Sequence, residues 1–198
     1  DKNPIVVALG SEPVTLNPTL ATDAVGVRLT GLIFSSLVRV DEHLKPIGDA
    51  AESWELHDKT YTFHLRQGLR FHNGRLVSPE DIEFSFARYL APASPFSSSL
   101  ANIRQVHAFL SKDRVHVEVV VETVSEKVLL VDVPAVKILP RGEFTQNENS
   151  LIGSGPYSFV YQDRQVIELK GHTARNAGLM FKIIRDDFTR YQKLRSGE

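Results

Sequence analysis

Ser154 stands in Gly153-Ser154-Gly155-Pro156, the stretch of this chain closest to a nucleophile elbow. An elbow needs Gly-x-Ser-x-Gly on a strand-to-helix turn. Here the spacing is wrong and Pro156 occupies the place where the helix would begin, so the text reads as a tight turn. Seven histidines invite a metal reading, but His57, His64 and His72 lie seven and eight residues apart, and no His-x-His or His-x-x-x-His pair occurs. Asp186-Asp187 has the composition of an acid/base pair, yet adjacent carboxylates ahead of a helical segment cap it and favour its positive end. There is no cysteine, which removes thiol nucleophiles, disulfides and Cys-ligated metal or cluster sites. Neither a phosphate loop nor a Gly-x-Gly-x-x-Gly fingerprint is present. No catalytic residue, metal ligand or cofactor is assigned, and hydrolysis of peptides or esters is not expected.

Charge narrows the partners. Lys and Arg total 23 against 24 for Asp and Glu, a formal net charge of -1 without the basic excess that a phosphate backbone selects for, so nucleic acid is not an expected partner. The longest apolar runs, Val115 to Val121 and Val128 to Val133, contain Glu118 and Asp132. They fall far short of the ~20 residues that a membrane helix needs. No charged start followed by an apolar run marks a signal peptide.

The elements that must position any site follow from periodicity. Ile5 to Leu9 reads as a buried strand entering a turn-rich loop with Pro13, Asn17 and Pro18. From Asp23 onward, Val25, Leu29, Leu32, Ile33 and Leu37 keep helical spacing, and Gly26 and Gly31 in that helix suggest close approach of another element. Text between Lys45 and Ser53 is turn-like; Lys59 to Arg66 alternates as a strand, and Leu69 to His72 reads as a short strand between two turns. Ser78, Pro79 and Asp81 form a capped start for a helix over Glu80 to Tyr89. Arg114 to Glu122 is the clearest strand, and Tyr157 to Val160 with Val166 to Leu169 reads as a hairpin. Phe181 to Arg185 predicts a strand, and Phe188 to Leu194 a helix capped by Asp186 or Asp187 and closed by Gly197. Short strands mixed with a few helices define an α/β or α+β class with a β-rich middle.

Two aromatics stand apart. Trp54, in Ala51-Glu-Ser-Trp-Glu55, reads as an anchor of the small sheet, since tryptophan's large apolar area is usually mostly buried. Phe96 is flanked by Pro95 and a serine run, outside any periodic pattern. Such a residue lines a binding surface or pins its loop onto the core, and the sequence leaves both open.

Eight ordered blocks carry a resemblance. They are Leu16-Asn-Pro18; Leu37-Val-Arg39 with Pro46; Ala51 to Glu55; Tyr61-Thr-Phe-His-Leu-Arg66; Phe71-His-Asn-Gly74; Ser78-Pro-Glu-Asp-Ile82 with Phe84-Ser85; Gly153-Ser-Gly-Pro-Tyr157; and Asp186-Asp187 leading to Leu194-Arg-Ser-Gly-Glu198. Each is weak alone, but in this order they resemble the family 5 extracellular solute-binding proteins, the group of oligopeptide, dipeptide and nickel receptors. Two departures are Ser35-Ser36 where a Glu-Gly is common, and a short segment between Val121 and Gly153.

The resemblance implies an α/β, type II two-lobed clamp whose first lobe carries an inserted β-rich subdomain. Residues 1–44 would begin that lobe, 45–149 would form the insert, and 150–198 would return to the lobe, with the second lobe outside this chain. The implied function is capture of a peptide or similar small solute outside the cytoplasmic membrane and delivery to an ABC transporter permease, without chemistry. Location would be periplasmic or extracytoplasmic, the signal peptide having been removed. Within the first lobe the family's ligand contacts fall on Thr22, Asp23 and Ala24 and on Phe96 and Ser97. Rival readings are a sensor or regulatory domain of the same fold and, with no nucleophile constellation behind it, a hydrolase.

Overall fold

The computed structural model describes residues 3–129, 131–173 and 176–197, which leaves Glu198, the end of the last block above, and Leu130, inside the apolar run Val128 to Val133, outside the described residues. In chain order the elements are β1 (Ile5–Leu9), α1 (Ala24–Ile33), β2 (Val38–Val40), β3 (Pro46–Gly48), β4 (Ala51–His57) and β5 (Thr60–Leu65). Then follow α2 (Pro79–Leu90), β6 (Ile103–Leu110), β7 (Val117–Thr123), a 3-10 turn at Glu126–Leu129, α3 (Asp132–Ala135) and α4 (Arg141–Gln146). The chain closes with β8 (Tyr157–Gln162), β9 (Val166–Gly171), β10 (Leu179–Ile183) and α5 (Asp187–Ser196).

These strands make two four-stranded sheets and a small hairpin. The terminal sheet has the order β1-β10-β9-β8, with β1 and β10 parallel in the register Ile5↔Leu179 and the other neighbours antiparallel. The middle sheet, β4-β5-β7-β6, is antiparallel throughout. Its alternating β-branched and aromatic positions turn Tyr61, Phe63, Leu65, Val119 and Val121 inward, into a core shared with Ile82, Phe86 and Tyr89 of α2, which packs on β6 and β7. A continuous apolar core runs from this sheet through α1 to Ile167, Leu169 and Phe181 of the terminal sheet.

Local signals were read correctly where they are chemical. Asp186 caps α5 by accepting from the Thr189 N–H at 2.7 Å, and Gly197 closes the helix in the left-handed region. At the start of α2 the Ser78 N–H donates to the Asp81 carboxylate at 2.9 Å. Trp54 is half-buried on the core with its ring 6.3 Å from that of Phe63.

Several expectations need correction. The turn-like text before Ser53 holds β3, which pairs with β2, and the start of β4. Leu69 to His72 forms a single bridge, Arg70↔Leu76, rather than a strand. The valine strand begins at Val117, because Arg114 takes a φ of 57° in the preceding turn. The last strand is shifted toward the N-terminus, ending at Ile183. β6 was not foreseen, nor were the short helices α3 and α4. Gly26 does lie tight, with a Cβ there meeting the Thr15 carbonyl at 2.9 Å, whereas Gly31 faces open space.

Candidate functional site

Two loops carry the expected first-lobe contacts, and one helix holds both. The first loop precedes α1. Asn17 organises it: its side-chain oxygen accepts from the Thr19 N–H at 3.0 Å and hydroxyl at 2.8 Å, while its amide donates to the Glu148 carbonyl at 2.9 Å. Asp23 ends it as the α1 N-cap, accepting from the Gly26 N–H at 2.9 Å and the Val14 N–H at 3.3 Å. The Asp23 carboxylate is thus engaged in backbone capping, while Thr22 and Ala24 beside it are exposed.

The second loop follows α2. Its serines fold it onto itself: the Ser97 hydroxyl donates to the Ser94 carbonyl at 3.0 Å, the Ser99 hydroxyl to the Phe96 carbonyl at 2.8 Å, and the Phe96 N–H to the Ser94 hydroxyl at 3.2 Å. Phe96 is half-buried, its ring 5.1 Å from that of Tyr89.

Tyr89, on the last turn of α2, connects the two. Its side chain is fully buried and its hydroxyl donates to the Pro18 carbonyl of the first loop at 2.8 Å. Burial pushes the phenol well above its ordinary value, so it remains a neutral donor. One phenol therefore pins the first loop by its hydroxyl and the second by its ring. Between the loops lies a cleft of about 150 Å³ lined by Thr19, Leu20, Arg88, Ala91, Ser94 and Pro95. None of the five residues expected from the resemblance is among those that line this cleft.

The sequence places Tyr89 at the end of its helix but does not reveal its bridging role. The available signal was chemical, since a buried tyrosine hydroxyl has to find a partner. Arg88 was also missed; it ion-pairs with Glu148 at 2.5 Å, the residue whose carbonyl receives Asn17.

One constellation away from these loops has the composition of a nucleophile and base. Lys137 Nζ donates to the Ser36 hydroxyl at 2.9 Å, and burial pushes that ammonium down to about 8 against the opposing charge of Asp49. Access argues against catalysis. Ser36 is 1% exposed, its hydroxyl donates to the Pro134 carbonyl at 2.9 Å, and its N–H is held by Asp49 at 2.8 Å. A substrate carbonyl has no approach to such an oxygen. The cluster ties the residues just before β2 to α3 and the segment after it. The elbow-like Ser154 is likewise spent on the Ser35 hydroxyl. The glycines on either side let this turn lie against α1, where a Cβ on Gly153 would meet the Ile33 carbonyl at 2.0 Å. Among the described residues no group of three or more His, Cys, Asp or Glu is disposed to hold a metal ion.

The fold, a mixed sheet with a β-rich middle and two loops converging on one helix end, is that of part of a lobe in a type II periplasmic binding protein. The chain belongs to the bacterial extracellular solute-binding proteins, family 5, whose middle-region model matches residues 45–198. A dipeptide-binding protein from Pseudomonas aeruginosa is 29% identical over 96% of this chain and 42% of its own length. The agropinic acid complex of AgaA from A. tumefaciens R10 superposes with a TM-score of 0.84 at 25% identity, over 98% of this chain and 42% of that one. NikZ from Campylobacter jejuni, in complex with Ni(L-His), matches with a TM-score of 0.79 at 26% identity, over 100% of this chain and 42% of that one. The chain thus spans about two fifths of the length of the proteins it matches.

Proposed function

We propose that the protein containing this chain is the substrate-binding component of an ABC transporter. It captures a peptide or similar small solute outside the cytoplasmic membrane and hands it to a permease, making and breaking no covalent bond. This chain supplies part of the first lobe, with 45–149 as its β-rich insert and Thr22–Ala24 and Phe96–Ser97 on the ligand-facing side. The observation that carries the reading is the pair of loops fixed to Tyr89. A clamp gains affinity when its walls are ordered before the ligand arrives, and these loops spend their own polar groups on their own order. Relatives named for dipeptides and for Ni(L-His) agree with small polar solutes as a class. Burial of Ser36 supports a receptor over a hydrolase. Among the described residues no helix is long and apolar enough to cross a membrane, in keeping with a permease that is a separate chain.

Ligand retained by the full-length protein, identified by mass spectrometry, gives the solute; calorimetry with it then tests the site. Phe96→Ala should weaken binding by about 1–3 kcal/mol, the usual cost of truncating an aromatic contact at an interface. Wild-type affinity in a correctly folded Phe96→Ala protein would remove Phe96 from the site. Turnover of the bound solute mapping to a residue of this chain would remove the receptor reading.

A further inference from the structure

Where β5 and β6 end and β7 begins, the middle sheet opens into a groove of about 830 Å³ that includes the start of α2, whereas the two loops of the proposed solute site are held at that helix's other end. Its volume lies in the range of roughly 300–1,000 Å³ that small-molecule sites occupy. The floor is apolar and buried, made by Leu65, Val77, Ala108 and Val117. Three large aliphatic side chains stand at the rim and remain open to solvent: Leu76 at 49%, Leu110 at 51% and Val115 at 49% exposure. Solvent-exposed apolar side chains gathered around one concavity, rather than scattered singly, mark a surface that something covers.

The charged groups of the lining are mostly cationic. Arg66, Arg70 and Arg114 face a single carboxylate, Glu80. Arg66 is partly spent on the Asp49 carbonyl at 2.7 Å. Arg70 gives one N–H to the Gly74 carbonyl at 2.7 Å, and among the described residues neither Arg70 nor Arg114 forms an ion pair. The neighbouring Asp113 forms no ion pair with Arg114: its carboxylate is turned into its own loop, accepting from the Val115 N–H at 2.8 Å and from the His116 ring at 2.6 Å. Arg114 itself sits at a φ of 57°, a conformation that costs an arginine more than a glycine or asparagine.

An apolar floor beside two guanidinium groups with hydrogen-bonding capacity left over is complementary to one kind of small molecule. We propose that this groove is a second binding site, for an amphiphilic anion with an aliphatic body and a carboxylate head, the body lying over Leu110 and Val115 and the head between Arg70 and Arg114. Guanidinium and carboxylate are matched in shape as well as charge, so the head should supply orientation and the body most of the buried area.

Calorimetry on the full-length protein with octanoate, kept below its micelle-forming concentration, tests this directly, with octan-1-ol and acetate as the uncharged and chainless comparators. Octanoate should bind saturably, octan-1-ol at least about tenfold more weakly, roughly what one charge-assisted hydrogen bond is worth, and acetate more weakly still, by at least about a hundredfold, because each buried methylene is worth about fourfold. Arg114→Glu and Arg70→Glu should each weaken octanoate by about tenfold or more, with the thermal midpoint unchanged because both side chains are exposed. Leu110→Ser, also at an exposed position, should weaken octanoate and leave acetate unaffected. The proposal is overturned if octanoate shows no saturable binding, if octan-1-ol binds as well as octanoate, or if both arginine variants keep wild-type affinity, as they would were octanoate taken up between the lobes instead.

Discussion

The middle sheet and the terminal sheet both have four strands, yet they are covered very differently. In the middle sheet β5 and β7 alternate buried with half-exposed positions along nearly their whole length, and α2 closes the inner face. In the terminal sheet neither β1 nor β8 contains a fully buried residue, and the sealed positions reduce to Ile167, Leu169 and Phe181. The helix that follows, α5, buries nothing and leaves Phe188, Tyr191 and Leu194 exposed at 57% to 80% with Tyr191 the lowest. Since stability scales with apolar area removed from water, the middle region should carry most of the folding free energy of this chain. In the terminal sheet, the two ends of the chain are joined by the parallel pairing of β1 with β10.

That contrast breaks most visibly in a pair of aromatic truncations. Phe63 is fully buried between Tyr61, 5.9 Å away centroid to centroid, and Trp54. Phe63→Ala should cost about 3–5 kcal/mol in urea-induced unfolding, because the surrounding sheet cannot collapse into the space. Phe159, on the half-covered β8, should cost on the order of 1 kcal/mol when changed to alanine. Equal losses at the two positions would mean that the sheets contribute alike and that exposure misjudges them.

A second test sharpens the comparison from the polar side. Asp81, nearly inaccessible, takes both ends of the Arg75 guanidinium at 2.9 Å and also accepts from the Ser78 and Arg141 N–H groups. Burial opposes ionisation of Asp81, but Arg75 and these two backbone donors outweigh it and hold the carboxyl below its usual range. Arg75 also reaches Glu143, which joins α4 to the start of α2. Arg75→Ala leaves a buried carboxylate without its partner, a change that costs about 3–5 kcal/mol in a sealed site and about 2 here, where the arginine is 38% exposed. Stability of the wild type from this group is present above the unfolded value near 3.9 and is lost as pH falls through the lower folded value. A double-mutant cycle with Asp81→Asn isolates the pair, and additive losses would dissolve it.

What the sequence revealed follows the same division. Alternation in Lys59 to Arg66 and the capping residues at Ser78, Asp186 and Gly197 are local signals, set by neighbours in the chain, and they located β5, α2 and α5 to within a few residues. β6 escaped because Ile103 to Leu110 has a bulge between Ile103 and Gln105 and mixes Arg, Gln and His into its outward positions, which blurs the period. The turn at Lys45 concealed β3 because a three-residue strand is defined by its partner, β2, and not by its own composition. At the site, Phe96 stood out by falling outside every periodic pattern. Tyr89, which holds both loops, was absorbed into the helical pattern, since periodicity records where a side chain points and not what its last atom bonds to.

The smallest expected effect lies at the junction of the two regions and is read by pH. His72, just after β5, accepts from the Gly153 N–H at Nδ1, 3.3 Å away, and meets the Gly155 carbonyl from Nε2 at 2.9 Å. Both bonds can be made only by a neutral ring carrying its proton on Nε2, because a charged imidazole would set an N–H against the Gly153 N–H. Burial pushes this histidine below its ordinary value, the Gly155 carbonyl opposes that, and His172, its ring 5.1 Å distant, adds to the lowering. A folded value below the unfolded one makes the contribution fully present above about 6.5 and lost as pH falls through the folded value. The slope from one such group cannot exceed about 1.4 kcal/mol per pH unit. His72→Gln removes the titration while keeping a side chain able to donate to Gly155, so stability measured by urea titration between about pH 7 and pH 5 should fall less steeply in the variant than in the wild type. If the two slopes coincide, the clasp between the turn after β5 and the turn before β8 is not held by a neutral imidazole, and the junction of the two regions rests instead on the Gly153 carbonyl, which accepts from the His72 N–H at 2.8 Å in either protonation state.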